Sequence, residues 1–340
     1  KLISSAESPT IVAGGGSVSS GASDQVRQLA DLLQIPVMTT PQAKGIIPED
    51  SHLATGVNSA VGPAKAVLPD TDLVIAIGTR LSLRGVSPDN MPPILQIDVE
   101  RDQIGKHFPV ELGIVGDASE TLTSVISALS VDDSKLATRR ERAERLKKQF
   151  ADQVVKLASP QVSVIDKISN VLPDDAIVVQ GMTNIGYWSS AAMPMDSVRK
   201  YVTSSYFGTL GFAFPTALGC QTAFPERKVV ALCGDGGFMY SPQELSTAMR
   251  YGLNTVAVVF NNGAFGASRW DQQHQFNGRY IGTDLFNPDF VAMAKSFGAE
   301  GIKTDADNID QGLAEALTLD KPTLLEVEIP NMMPPFQIVE

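Results

Sequence analysis

Short apolar runs alternate along this chain with segments of helical periodicity, and this alternation restricts the fold more than any other feature. Within residues 24–33, Val26, Leu29, Ala30 and Leu33 share one helical face. Strands separated by helices favour right-handed βαβ units and parallel sheets with both faces covered. We therefore predict an α/β fold of doubly wound parallel sheets, with strands at residues 10–13, 37–40, 73–77, 94–98, 113–116, 176–179, 229–233, 255–260 and 323–327.

Length and charge pattern predict two domains in series. A chain of 340 residues is long enough for two domains of ordinary size. One helical stretch is crowded with basic side chains, namely Arg139, Arg140, Arg142, Arg145, Lys147 and Lys148. Because the chain as a whole is acidic, we interpret this stretch as a solvated linker helix rather than a nucleic-acid patch. The predicted divisions are a Rossmann-like domain at 1–130, the linker helix at 131–160 and a second α/β domain at 161–340.

The composition excludes several classes of protein. With 43% hydrophobic and 19% charged residues, either half can bury a core, which excludes intrinsic disorder. The net charge of −11 argues against nucleic-acid or anionic-membrane partners. No apolar run approaches the roughly 18–20 residues that span a bilayer. Two cysteines, Cys220 and Cys233, cannot form a disulfide framework, so a reduced, cytoplasmic setting is expected.

Two polar groups follow neighbouring apolar strands in the second half of the chain. Residues 234–237 read Gly-Asp-Gly-Gly, and residues 261–263 read Asn-Asn-Gly. Between them, residues 241–244 have the pattern of a helix capping box with Pro at the first helical position. The segment is therefore one βαβ unit, so its two strands run in the same direction. Asp235 and Asn262 are expected to emerge together at the carboxyl edge of the sheet, where open α/β sheets bind ligands.

The residue types at this edge suit a divalent cation and a diphosphate. Carboxylate and carboxamide oxygens are hard ligands of the kind that Mg²⁺ prefers, with phosphate and water completing its octahedron. The glycines beside Asp235 let backbone N–H groups approach a diphosphate, and the helix start adds a favourable dipole. Either group alone is more often an ordinary turn after a strand. Their pairing across a single crossover favours the metal site.

The same residues resemble the cofactor signature of thiamine diphosphate enzymes, in particular the acetolactate synthase, pyruvate oxidase and benzoylformate decarboxylase group. Further similar stretches are residues 207–212, 243–248 and 287–290. The resemblance covers the whole chain. Residues 1–130 look like the central domain of that group, and residues 160–340 look like its diphosphate-binding domain.

The resemblance implies a set of binding residues. Asp235 and the Asn262 side chain would bind Mg²⁺, with the backbone carbonyl of Ala264 as the third protein ligand. Leu210 would lie beneath the bent cofactor, although plain core packing is an equal alternative for it. The other residues implied are Gly234, Gly236, Gly237, Met182, Thr183, Asn184 and Ile185 around the diphosphate, and Gly208, with Leu210, at the pyrimidine edge.

The resemblance also implies an activity. A small 2-oxo acid would be decarboxylated or ligated to a second substrate, with an acetolactate synthase as the first choice. A decarboxylase of the benzoylformate type is second, because residues 262–266 look closer to that branch. A hypothesis of another class is a non-catalytic module that binds a diphosphate or a nucleotide.

In this family the activating Glu lies on an N-terminal pyrimidine-binding domain, and the cofactor is shared between subunits. No part of the 340 residues resembles that domain. We therefore expect this chain to be a fragment that contains no catalytic residue of its own and is inactive alone. Its expected partners are the pyrimidine-binding domain of a neighbouring subunit and further copies of the chain, in a homodimer or homotetramer.

Two patterns in the first half invite a nucleotide interpretation. The pattern Gly14-x-Gly16-x-x-Ser19 lacks the third glycine of a dinucleotide fingerprint, and residues 37–40 end without the acid that holds a ribose. Some relatives carry FAD near the positions of residues 78–80 and Asp98, but the acidic pair usual after the arginine is absent here. FAD stays open without being favoured, and we expect this domain to be structural.

Overall fold

The structure is a computed structural model that describes residues 1–58, 62–83, 86–204 and 207–335. These residues form two compact units. The first comprises Lys1–Leu157 and Pro194–Arg199, and the second comprises Ala158–Met193 and the described chain from Lys200 onward. Each unit contains a six-stranded sheet in which every strand pairing is parallel, so the predicted α/β fold with two parallel sheets is confirmed.

The elements of the first unit follow the predicted alternation. Its strands are β1 (Pro9–Ala13), β2 (Val37–Thr39), β3 (Ala54–Val57), β4 (Leu73–Ile77), β5 (Ile94–Asp98) and β6 (Leu112–Val115). Its helices are α1 (Leu2–Ser5), α2 (Gly15–Ser19), α3 (Ser23–Leu33), α4 (Ala64–Val67), α5 (Ala118–Ala128) and the first part of α6 (Leu136–Val171). Short 3₁₀ turns occupy Pro41–Ala43, Leu68–Asp70, Pro88–Asn90, Arg101–Gln103 and Asp133–Lys135.

The second unit begins within α6, which is interrupted at Ala158 by non-helical backbone. Its strands are β7 (Ile177–Gln180), β8 (Tyr201–Thr203), β9 (Val229–Gly234), β10 (Val256–Asn261), β11 (Glu300–Asp305) and β12 (Thr323–Glu328). Its further helices are α7 (Asn184–Ala192), α8 (Ala213–Ala223), α9 (Asp235–Phe238), α10 (Glu244–Tyr251), α11 (Gly266–Gln275), α12 (Phe290–Ser296) and α13 (Ile309–Thr318).

The strand order places one crevice in the second unit. The order is β11-β12-β10-β9-β7-β8, so the chain leaves β7 toward β8 on one side and later returns to β9 on the other. The loops that follow β7 and β9 therefore lead away from each other. Such a topological switch point, at the carboxyl ends of the strands, is where open α/β sheets bind ligands.

In the first unit the order is β3-β2-β1-β4-β5-β6, and the equivalent reversal lies between β1 and β4. Here the two loops bond directly to each other. Gly16 N–H donates to the Gly78 carbonyl at 2.9 Å, and a Cβ on Gly14 would lie 2.3 Å from that carbonyl oxygen. Glycine at position 14 is thus required by close backbone packing, without reference to any ligand.

Three strands, β3, β8 and β11, were not predicted. All three lie at sheet edges. Edge strands face solvent along one side and can mix charged with apolar residues, as Lys303 within β11 illustrates. The apolar face predicted for residues 24–33 is confirmed, because all four of its hydrophobic residues are buried in α3.

The predicted capping box at residues 241–244 is wrong. Helix α10 begins at Glu244 with no side-chain hydrogen bond at its N-cap. The Ser241 hydroxyl donates instead to the Gly211 carbonyl at 3.4 Å, and the Glu244 carboxylate accepts from the Thr247 hydroxyl at 2.7 Å. The N–H groups of residues 244–246 donate instead to the backbone carbonyls of residues 241–243, three positions earlier. These 3₁₀-type bonds take the donors that a capping box would use, so neither side chain caps the helix.

The basic stretch in α6 is only partly solvated, as a correction to the interpretation above. Arg140 is exposed and pairs with Glu144 at 3.0 Å, as expected. Arg142, by contrast, is buried and donates to the Pro9 carbonyl and to the hydroxyls of Thr10 and Thr71 at 2.8–3.1 Å. Burial lowers the pKa of the Arg142 guanidinium to about 10. The long side chain therefore ties α6 to the starts of β1 and β4.

Arg139 is also buried in this way. Its guanidinium donates to the carbonyls of Ala6, Glu7 and Leu33 at 2.7–3.3 Å. The predicted divisions at residues 130 and 160 stay a prediction, while the two compact units divide between Leu157 and Ala158.

Replacing Arg142 with Ala should destabilise the first unit. The change removes the donor to the buried Pro9 carbonyl and one hydrogen bond from each threonine hydroxyl, although the two hydroxyls still bond to each other, so we expect a loss of about 1–3 kcal/mol. Hydrogen exchange of peptides from β1 and β4 measures this loss locally. Arg140→Ala is the matched control, since an exposed i,i+4 pair contributes at most about 0.5 kcal/mol. Equal exchange rates in the two variants would contradict a structural role for Arg142.

Candidate functional site

The predicted polar residues meet at the switch point of the second sheet. Asp235 directly follows β9 and begins the short helix α9, while Asn262 directly follows β10. These strands are parallel neighbours, with Val259 opposite Cys233 and Phe260 opposite Gly234. The Gly263 N–H donates to Asp235 Oδ2 at 2.9 Å, which joins the two loops. The convergence predicted from the βαβ unit therefore occurs.

The Asp235 carboxylate is buried and accepts hydrogen bonds only from uncharged groups. Oδ1 accepts from the Gly236 N–H at 2.8 Å. Oδ2 accepts from the Gly263 N–H and from Asn287 Nδ2, the latter at 2.7 Å. These bonds orient the carboxylate and place two donors on Oδ2, against one on Oδ1.

Burial raises the pKa of Asp235, and the hydrogen bonds from Gly236, Asn287, Gly263 and Asn262 act against this shift. None of the ion pairs among residues 1–58, 62–83, 86–204 and 207–335 includes Asp235. A buried carboxylate without a cationic partner is costly in free energy. A bound divalent cation would supply the missing charge, and the donor set of Asp235 fits one.

Asn262 and Ala264 lie in the turn that follows β10. Asn262 Oδ1 accepts from the Ala264 N–H at 3.2 Å, and its Nδ2 donates to Asn331 Oδ1 at 3.3 Å. A Cβ on Gly266 would lie 2.6 Å from Asn262 Nδ2, so a larger residue at position 266 would displace this amide from its observed position. The turn is held in place by an antiparallel bridge between Ala264 and Asp284.

The stretch after β7 lies beside Gly234, as the resemblance implied. A Cβ on Gly234 would lie 3.2 Å from Thr183 Cβ. Asn184 and Ile185 open α7, and Thr183 precedes this helix in extended conformation without a side-chain cap. The first N–H groups of α7 therefore lack a side-chain acceptor at its N-cap, which is the arrangement that binds anions.

The residues implied at the pyrimidine edge lie close to the same crevice. Gly208 has a positive φ of 58°, and a Cβ there would lie 3.3 Å from Met182 Sδ. Leu210 Cδ2 lies 3.6 Å from the position that a Cβ on Gly237 would occupy. A Cβ on Gly236 would lie 2.5 Å from the Phe265 ring, so this glycine permits close packing. All the residues implied as cofactor-binding are thus gathered around β7 and β9, while their contacts with a cofactor stay a prediction.

Sequence reasoning missed the polar residues that support Asp235. Asn287 was noted only as part of a similar stretch, and Asn261 and Glu326 were given no role. Asn287 Nδ2 donates to Asn261 Oδ1 at 2.9 Å, and Asn261 Nδ2 donates to Glu326 Oε1 at 2.7 Å. One signal was available, since Glu326 interrupts the apolar strand at residues 323–327.

Aromatic and basic residues after the turn take part in local contacts. The guanidinium of Arg269 pairs with Asp284 and lies 4.1 Å from the centroid of the Tyr280 ring. Trp270 stacks on His274 with centroids 4.2 Å apart. Arg269, Trp270 and His274 therefore each have a local structural contact within this part of the chain.

The thiols and the last described residues are structural. Burial raises the pKa of Cys233 to about 12, and it also raises the pKa of Cys220, so neither thiol is activated. The carbonyl of Met333 accepts from the Trp188 indole N–H at 3.0 Å, and that of Met332 accepts from Asn184 Nδ2 at 2.7 Å. The chain at 332–333 therefore packs against α7.

The described part of the chain shows neither a clustered metal-ligand group nor a membrane-spanning helix. It contains no group of three or more His, Cys, Asp or Glu side chains arranged to hold a metal ion. It also contains no helix whose length and apolar character would let it cross a bilayer.

Two family profiles match this chain. Residues 1–125 match "Thiamine pyrophosphate enzyme, central domain", and residues 181–327 match "Thiamine pyrophosphate enzyme, C-terminal TPP binding domain". The second range contains every residue that was assigned above to the metal and the cofactor.

Similar curated proteins cover almost the whole chain. A probable acetolactate synthase large subunit of Methanococcus aeolicus is 33% identical over 98% of this chain and 61% of its own length. An acetolactate synthase large subunit of Parasynechococcus marenigrum is 32% identical over 96% of this chain and 55% of its own length. A probable 2-ketoarginine decarboxylase of Pseudomonas aeruginosa is 28% identical over 96% of this chain and 58% of its own length. The chain thus spans between 55% and 61% of the length of these relatives.

Proposed function

Since this chain belongs to the thiamine pyrophosphate enzymes, whose central and C-terminal domains it matches, we propose that it serves Mg²⁺-dependent decarboxylation and carboligation of a small 2-oxo acid, as an acetolactate synthase does. The observation that carries the proposal is the buried Asp235 carboxylate, which lies at a topological switch point without a cationic partner in the described structure. The two acetolactate synthase relatives support the choice of reaction.

In this proposal the chain's own residues bind and orient the cofactor. Asp235 Oδ1, the Asn262 side chain and the Ala264 carbonyl would hold Mg²⁺, which binds the diphosphate. The N–H groups at the start of α7 and the backbone of Gly237 would donate to phosphate oxygens. When bound, thiamine diphosphate supplies the carbon nucleophile that adds to the 2-oxo acid and accepts the charge released by decarboxylation. Leu210 would support the cofactor from below.

We propose that the activating carboxylate comes from a pyrimidine-binding domain on a neighbouring subunit. Large apolar side chains of the second unit support an interface, because Phe207 and Phe286 are almost fully exposed and Ile281 is largely exposed. Isolated apolar residues are common on surfaces, but exposed aromatic side chains are enriched at protein interfaces. On this account the 340-residue chain binds the cofactor without turning over substrate.

A decarboxylase without ligase activity is the second candidate. The similarity to a probable 2-ketoarginine decarboxylase favours it, since that protein is 28% identical over 96% of this chain. Both candidates use the same metal and diphosphate residues, so they differ in the fate of the decarboxylated substrate.

Replacing Asp235 with Asn should abolish Mg²⁺-dependent binding of thiamine diphosphate. The substitution keeps the size of the side chain but removes the charge that holds the cation, so we expect at least a roughly 100-fold weaker affinity. Calorimetric titration of the 340-residue chain in Mg²⁺ measures this change. Asp307→Asn, at an almost fully exposed carboxylate, is the matched control and should bind as wild type does. Equal affinity of the Asp235 variant and wild type would refute the metal assignment.

Product analysis with pyruvate separates the candidate functions. Assayed together with a pyrimidine-binding domain, the chain should form acetolactate, whereas the 340-residue chain alone with Mg²⁺ and thiamine diphosphate should release no CO₂. Acetaldehyde as the sole product would support the decarboxylase. Turnover by the 340-residue chain would show that no further domain is needed. If the chain with a pyrimidine-binding domain neither turned over pyruvate nor bound the cofactor, a non-catalytic module would be favoured.

A further inference from the structure

A continuous series of hydrogen bonds runs from β12 to the Asp235 carboxylate. Glu326 lies on β12 and is buried, and its Oε1 accepts from Asn261 Nδ2 at 2.7 Å. Asn261, the last residue of β10, presents its Oδ1 to Asn287 Nδ2 at 2.9 Å. The same Asn287 Nδ2 donates to Asp235 Oδ2 at 2.7 Å. The side chains of Glu326, Asn261 and Asn287 therefore connect β12 with the Asp235 carboxylate, which follows β9 two strands away.

The chemistry of the end groups fixes the direction of these hydrogen bonds. A carboxylate only accepts, so Glu326 requires the NH₂ group of Asn261 to face it. The Oδ1 atom of Asn261 must then face the opposite way, where the N–H of Gly263 at 3.2 Å and Asn287 Nδ2 both donate to it. Asn287 is in turn oriented so that its NH₂ group donates to both Asn261 Oδ1 and Asp235 Oδ2.

Asn287 determines which oxygen of Asp235 remains open. Asn287 Nδ2 and the Gly263 N–H both donate to Oδ2, whereas Oδ1 accepts from the Gly236 N–H. Without Asn287, Oδ2 would regain an acceptor position and the carboxylate could turn about its Cβ–Cγ bond. Outer hydrogen bonds of this kind orient metal ligands and tune metal affinity.

We propose that Asn287 and Glu326 are positioning residues of the metal site: Glu326 orients Asn261, Asn261 orients Asn287, and Asn287 holds Asp235 so that it binds the cation through Oδ1. This inference rests on the proposed function. Neither residue touches the cation or the substrate, and Glu326 acts only through the two amides.

The test measures the dissociation constant of Mn²⁺, used in place of Mg²⁺, from the 340-residue chain with saturating thiamine diphosphate. Electron paramagnetic resonance of free Mn²⁺ gives this value without any activity assay. Asn287→Ala and Glu326→Met should each raise the dissociation constant by roughly 10–100-fold, because each interrupts the orientation of Asp235. Glu326→Gln should stay within about threefold of wild type, since its Oε1 can still accept from Asn261.

A double variant distinguishes positioning from general damage. If Glu326 acts through Asn287, Asn287→Ala combined with Glu326→Met should have the dissociation constant of Asn287→Ala alone. Losses that multiply in the double variant would overturn the relay, as would wild-type affinity in Asn287→Ala. Asn287 is a half-buried loop residue, so its variant tests the inference even where Glu326→Met does not fold.

A matched control and the wild type complete the test. Glu300 on β11 pairs with Lys321 at the surface at 3.2 Å, and Glu300→Met should leave the dissociation constant unchanged. A wild-type chain that binds no Mn²⁺ would overturn the proposed function and this inference with it. Wild-type binding that none of the Asn287 or Glu326 variants weakens would overturn the inference alone.

Discussion

The buried Asp235 carboxylate and its lack of a cationic partner in the described structure set the requirements that the rest of the second unit meets. Removing a charged carboxylate from water is costly unless hydrogen bonds and an opposite charge compensate it. The backbone N–H groups of Gly236, Gly263 and Asn262 and the side-chain amide of Asn287 supply the first kind of compensation. A divalent cation with its diphosphate would supply the second kind, and Oδ1 is the oxygen through which we propose that it binds.

The topology explains why this carboxylate lies beside an anion site. Because the chain reverses its direction of winding between β7 and β9, the loops after these strands separate and leave their backbone groups accessible. The loop after β7 leads into α7, whose first N–H groups have no side-chain cap. The loop after β9 carries Asp235 and the glycines that allow close packing. One strand order thus brings the Asp235 carboxylate, where we propose a cation, close to a helix N-terminus.

The local pattern that predicted the fold was the alternation of short apolar runs with helical segments. Each predicted strand is observed with bounds within one residue of those predicted. The meeting of Asp235 and Asn262 also followed from sequence, since parallel neighbouring strands end at the same edge. Contacts that depend on register or on side-chain length could not be read in this way. Glu326 meets Asn261 only because β10 and β12 pair, and Arg142 is buried because its side chain reaches the starts of two strands. Three of the four edge strands, β3, β8 and β11, have short or mixed runs that gave no strand signal, whereas the fourth, β6, was predicted.

The central claim is that Asp235, Asn262 and the Ala264 carbonyl hold a divalent cation that binds the diphosphate. The most direct measurement is a crystal structure of the chain with Mn²⁺ and thiamine diphosphate, using the anomalous signal of the metal. The account predicts one anomalous peak within about 2.0–2.3 Å of Asp235 Oδ1, the Asn262 side-chain oxygen and the Ala264 carbonyl oxygen. Cofactor density at the switch point without a metal peak at Asp235 would contradict it.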